Sequence, residues 1–366
     1  MNPNSSIAQV SDLAFQATMA AYLVALVCLG IELAAKRRAP TELEAVSAAR
    51  RVAAKSGLLV GSGAGAANTA GIAGTAATAG STPSGSADVT VTSGQQPPTA
   101  AQTQGPAQPP SWSERFGRAA MVVTVVGLVA NLISIVTRGI AAGRLPLANV
   151  YEFSAAFCFV AVLCWVVLAA KTKARGLGLF VLTPVTLLAF LAGTVLWQKA
   201  GPVVASLNSY WKWIHVTTVS ISGSVLLVSG AASVMYLLRH RYDRKVTEHP
   251  DDVDLANSLP GKLPSLQLLD KIAYRTAIVA FPLYTFAIIA GALWAEVAWG
   301  RYWSWDPKET VAFISWVFYA GYLHARHTSG WRGVRAAWVN IVGFAAIIFN
   351  LFFINYVVTG LHSYAS

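Results

Sequence analysis

The chain has 366 residues, of which 55% are hydrophobic and 12% charged, and its mean hydropathy is +0.52. That leaves too little polar side-chain surface to cover a soluble globule of this length, so a membrane is the natural solvent. The formal charge of +11 reads as topology and contact with anionic membrane lipids: the basic loops lack interleaved aromatic residues, and no nucleic acid is expected as a partner.

A hydrocarbon core needs about 20 mostly apolar residues per helical crossing. Eight such stretches predict an all-α polytopic membrane protein: Leu13 to Leu33, Ala119 to Val136, Phe153 to Ala170, Leu177 to Trp197, Ile214 to Leu238, Ala273 to Trp294, Thr310 to Ala325, and Ala336 to Val358. Alternate connections differ sharply in Lys and Arg. Of the 27 basic residues, one set of loops holds only Arg138, Arg144, Lys199, Lys212, Arg301 and Lys308. Basic loops favour the cytoplasm, so this poor set and both termini are expected on the outer face of a multi-pass protein of the plasma membrane.

Residues 1–35 form a leading transmembrane segment. It has no basic region ahead of its apolar run and has Lys36-Arg37-Arg38 after it, the pattern of a retained helix. Residues 36–118 are expected to be a cytoplasmic loop. Its part from about Ser56 to Ser111 is built from Ala, Gly, Ser, Thr, Pro and Gln, cannot bury enough apolar surface to fold, and reads as disordered. Residues 119–366 make a seven-helix body that contains every motif. A second inner connection, Arg239 to Lys271, carries Asp251, Asp252 and Asp254 and reads as solvated surface, His240 and His249 included. Cys28, Cys158 and Cys164 fall inside helices and read as small buried apolar residues; no Cys-x-x-Cys exists to support dithiol chemistry or covalent haem.

The outer connection between the sixth and seventh stretches is WAEVAWGRYWSWDPKET, which crowds Trp294, Trp299, Trp303 and Trp305 with Tyr302. An interfacial aromatic belt explains one or two tryptophans at a helix end, not four in so short a run. Asp306, Pro307 and Glu309 have a structural meaning as N-cap, first helical residue and the closing member of a capping box; for Asp306, capping and ligand binding stand side by side. The helix start turns its free N–H groups toward the tryptophans, where an anion is welcome. Aromatic planes beside Arg301 and Lys308 suit a flat apolar ring with carboxylates, which is a description of haem.

Two histidines offer iron ligands: His215, at the outer start of the fifth stretch, and His362, just beyond the eighth. Whichever way the protein is oriented, an even number of crossings puts both on the side of the tryptophans. Either alone reads as an interfacial side chain; their coincidence with the loop favours ligation. Glu152 and Glu296, near outer helix ends, face a polar cavity or interfacial water.

WGRYWSWDPKE resembles the WWD signature, WGxxWxWDxxE, of the haem-handling proteins of cytochrome c maturation, and His215 and His362 match the external histidines that flank it. The resemblance runs from about Arg118 to Ser366 and includes PLANVYEF; it is strongest to the CcsA or ResC type of subunit in the system II cytochrome c synthetase. It implies that Trp299, Trp303 and Trp305 with Arg301, Asp306 and Lys308 form a haem shelf. It further implies that haem b, the transported substrate, is held by His215 and His362 for attachment to an apocytochrome c. His324 lies eighteen residues after Asp306, roughly 27 Å down the same helix, and matches the transmembrane histidine that receives haem from inside; His327, one turn on, is the competing residue. A second axial ligand at that depth is expected from a membrane partner of the CcsB or ResB type. The resemblance implies a subunit of a haem lyase complex and assigns no general acid or base. The alternatives are a system I haem-delivery protein of the same superfamily and a polytopic transporter of a non-haem substrate.

Overall fold

The computed structural model describes residues 3–35, 111–172, 174–201, 209–249 and 258–354. The low-complexity part of the long loop, Asp251, Asp252 and Asp254, and His362 therefore lie outside the described residues. Eight long helices are seen among the described residues: α1 (Pro3–Ala35), α2 (Trp112–Ala142), α3 (Val150–Lys171), α4 (Leu177–Thr194), α5 (Tyr210–Glu248), α6 (Leu266–Trp299), α7 (Pro307–His327) and α8 (Val334–Phe349). A short 3₁₀ turn, Leu259–Lys262, precedes α6, and a π turn, Asn350–Ile354, continues α8.

The apolar stretches locate every helix, but local polar chemistry sets the ends. α2 begins at Trp112, within what the sequence assigns to the loop, because Ser111 caps it by accepting from the Glu114 N–H at 3.3 Å. α5 begins at Tyr210 and runs on to Glu248, past its apolar stretch at both ends. Seven of the eight helices are long and apolar enough to cross a membrane; α7 is the exception. Its polar ends carry Lys308 and Glu309 at the start and His324, Arg326 and His327 in the last turn.

With no hydrophobic difference between lipid and helix faces, packing relies on small residues and short interhelical hydrogen bonds. Gly127 of α2 lies under the Tyr22 ring of α1, and Ser11 donates to the Ser134 carbonyl at 2.9 Å. Ser224 of α5 donates to the Phe157 carbonyl of α3 at 2.9 Å, and Ser229 to the Ala273 carbonyl of α6 at 2.8 Å. Asn340 of α8 then donates to Ser229 Oγ at 2.8 Å and Ser233 Oγ at 2.7 Å. α5 is thus the hub of the bundle and holds α3, α6 and α8 in fixed register. α7 is tied to α6 by Trp316 Nε1 donating to Thr285 Oγ1 at 2.9 Å and by Tyr284 donating to the Ala312 carbonyl at 3.2 Å.

Candidate functional site

Chain connectivity brings one end of α2 to α8 together around a cavity of about 430 Å³, within the size range of small-molecule sites. The segments after α2, α4 and α6, and those opening α3, α5 and α7, all contribute to its wall. So does Asn350 after α8, whose side-chain N–H donates to the Lys308 carbonyl at 2.9 Å.

His215 enters this cavity from the second turn of α5. Its Nδ1 lies 2.7 Å from the Ala287 carbonyl, which can only accept, so the proton of the neutral ring is on Nδ1 and the lone pair on Nε2. The ring stacks on Trp294, with centroids 6.0 Å apart and planes at 26°. This seat exists because residue 291 is glycine: a Cβ there would lie 2.7 Å from Nδ1. In Gly291→Ala, therefore, the imidazole is expected to leave its carbonyl partner, and the spectrum of any iron bound there should shift although no ligand has been replaced.

α6 ends at Gly300, whose φ of +70° turns the chain into the tryptophan segment. Trp294 is buried against His215, and Trp299 packs behind Trp294 at 5.2 Å without itself lining the cavity. Trp303 lines the cavity and meets Trp305 edge-on at 5.7 Å. Trp305 is 67% exposed and is the single non-glycine residue among those described with a positive φ, +60°. Such a conformation is costly for a bulky residue and is held by its surroundings, here including a bond from Thr310 Oγ1 to its carbonyl at 3.2 Å. Both rings also lie against Phe313 of α7, at 6.3 and 6.5 Å.

Asp306 is the N-cap of α7 and accepts from the Lys308 N–H at 3.1 Å; the Glu309 carboxylate reaches back to the N–H groups of Asp306 and Ser304, completing the capping box. Both carboxylates thus build the helix start, and Asp306 does not line the cavity. Lys308 does line it. Burial pushes the Lys308 ammonium down to about 8, against the upward pull of the Asp306 carboxylate. Arg301 is exposed and takes no part in the wall.

The opposite wall is not apparent in the sequence. Glu152 reaches neither interfacial water nor an open polar cavity: it is buried, paired with Arg138 at 3.2 Å and Arg144 at 2.8 Å, and accepts from the Ala148 N–H at 2.8 Å. Glu296 is exposed. Arg144 and Lys212 join the cavity wall beside this cluster. The sequence carries one signal of it, spacing: Lys212 stands three residues before His215 and therefore on the same helix face.

His324 is at the far end of α7 from the tryptophans. It is exposed, on the outward face that also carries Phe313, Val317 and Gly321. His327 is exposed as well but lines a separate cavity of about 490 Å³ with Tyr236, Asp270, Tyr274 and Arg326, the last paired bidentately with Asp270. The structure brings His215, Trp303 and Lys308 to one cavity and leaves His324 outside it. The three cysteines are free, and Cys158 is fully buried.

A model of the family described as cytochrome C assembly protein matches residues 147–362. The chain belongs to this family. The match takes in α3 to α8 and hence His215, Trp303 and Lys308 together. The chain is 36% identical over 252 residues to the cytochrome c biogenesis protein CcsA of Guillardia theta, covering 66% of this chain and 83% of that one. It is 33% identical over 284 residues to the CcsA of Trieres chinensis (69% and 88%), and 34% identical over 279 residues to that of Prochlorococcus marinus strain MIT 9313 (69% and 87%). As an all-α, multi-pass member of this family, the chain serves cytochrome c maturation.

Proposed function

We propose that the chain receives haem b as its cargo and presents it, at the α5–α6–α7 cavity, for attachment to an apocytochrome c by the system II route. The carrying observation is one cavity that joins an imidazole of fixed tautomer, His215, to an aromatic wall of Trp294 and Trp303 and a basic group, Lys308. His215 Nε2 and His362 are the proposed axial ligands, Trp303 the stacking plane, and Trp299 and Trp305 its supports. The bond from Nδ1 to the Ala287 carbonyl orients the ring and raises its basicity, as such second contacts do for metal-bound histidines. The cavity is proposed to face the outer side of the plasma membrane, where the poor set of basic loops lies.

The chain's own contribution is binding, orientation and exclusion of water around the iron; the vinyl–thiol addition belongs to haem and the apocytochrome cysteines. His324 is proposed to take haem at the cytoplasmic end. Its exposure on α7 supports ligation shared with a CcsB-type partner lying along that face. In this reading haem handling belongs to residues 119–366, and no part in it is assigned to residues 36–118 or to residues 1–35, whose helix α1 packs against α2.

Purified with its partner and ample haem, the complex is expected to show a Soret band of six-coordinate iron. A complex without one overturns the reading and favours a carrier of another hydrophobic substrate. Lys308 adds a pH signature. Its ammonium is protonated below pH 8 and loses its charge as pH rises through that value, so its attraction for a haem carboxylate falls in the same direction. Haem titrations on either side of pH 8 should show weaker binding on the alkaline side, and Lys308→Gln should flatten that difference.

A further inference from the structure

Lys212 is a buried cation with an unfinished environment. It is 3% exposed, it lines the cavity, and its Nζ has no hydrogen-bond partner among the described residues. The ammonium lies over the face of Trp213, 4.2 Å from the ring centroid. Arg144 and Glu152 are the charged groups that face it. Glu152, however, is already taken by Arg138, Arg144 and the Ala148 N–H. Arg138 also approaches Asp12 at 3.8 Å, so three cations here stand against two carboxylates. Among the described residues of this cluster one positive charge is left over, on a wall that also presents Phe153, Phe157 and Ile288 to the cavity, with Lys199 lining the same space.

A buried ammionium without an acceptor opposes folding, and in a membrane protein such a group marks a ligand or ion site. The ligand that fits has a large apolar body and a carboxylate. Lys212 and His215 project from one face of α5, about one turn apart, so an ammonium on a flexible four-carbon stem and an imidazole serve the same guest.

We propose that Lys212, with Arg144 beside it, receives a propionate of the haem whose iron is ligated by His215. This rests on the haem reading above and deepens it: the tetrapyrrole is oriented by a carboxylate subsite at the α3–α5 wall, built from side chains outside the tryptophan segment.

The test compares ferric protoporphyrin IX with its dimethyl ester, in which both propionates are neutral, on the full-length protein with its partner. The wild type is expected to bind the acid at least about tenfold more tightly than the ester, the scale of one charge-assisted hydrogen bond. Lys212→Met should remove most of that preference while leaving the Soret position unchanged, and Lys212→Arg should retain it. Because Lys212→Met removes an unpaired buried charge, the ligand-free variant should melt at or above the wild-type temperature. An equal loss of both porphyrins, or a preserved preference in Lys212→Met, overturns the carboxylate subsite alone. Failure of the wild type to bind either porphyrin overturns the subsite and the haem reading together.

Discussion

His215→Ala is expected to cost the cavity its proposed iron ligand and cytochrome c maturation its activity. The bound haem should pass from six- to five-coordinate, or be lost, with affinity falling on the order of 100-fold or more, beyond the 10–100-fold typical of removing a mere supporting contact. The reason lies in the seat of the ring. Ala287 O fixes one nitrogen, Trp294 fixes the plane, and Gly291 leaves space for both, so no neighbouring side chain can take over the position. Added imidazole should occupy the space left by the truncated side chain and restore the Soret band. A His215→Ala complex with unchanged spectrum and cytochrome c yield would remove His215 from the mechanism, whatever the aromatic wall does.

The second large effect is expected at the opposite end of α7. His324→Ala should deplete haem from the whole complex, including the His215 cavity, because in the proposed path loading from the cytoplasmic end precedes presentation. Imidazole should restore it. His327→Ala, one turn on, should leave haem content near wild type, since that ring lines a separate cavity and packs edge-on against Tyr274 at 6.5 Å. Measured haem per complex decides between the two histidines: a reversed order assigns the entry site to His327, and no change in either removes entry by this helix.

Much of the arrangement is legible in the sequence, for identifiable reasons. Apolar runs between charged clusters locate all eight helices, and Asp306-Pro307-Lys308-Glu309 announces the start of α7, because a capping box is local chemistry confined to a few consecutive residues. Alternation of crossings also puts His215 at the tryptophan end. What local pattern cannot supply is which side of a helix faces inward. Arg301 and Lys308 look equivalent as basic residues of one loop, yet only Lys308 lines the cavity, because Gly300 turns Arg301 outward before the new helix begins. Glu152 looks like an interfacial carboxylate until tertiary packing delivers Arg138 and Arg144 to it from α2 and the turn after it. Lys212 reads as loop charge until α5 is found to begin at Tyr210, which moves it onto the helix face of His215.

The modest hydropathy of α7 has a consequence for how the protein is made. A helix less apolar than its neighbours gains less from the bilayer by itself and depends more on packing in their company. For α7 that company is α6, through Trp316 with Thr285 and Tyr284 with the Ala312 carbonyl, and the end of α8, through Asn350. During synthesis, then, this helix is expected to settle only once α8 has emerged. The residues proposed to touch haem would come into alignment as the last act of assembly, and a chain truncated before α8 would carry the tryptophans without a helix to aim them.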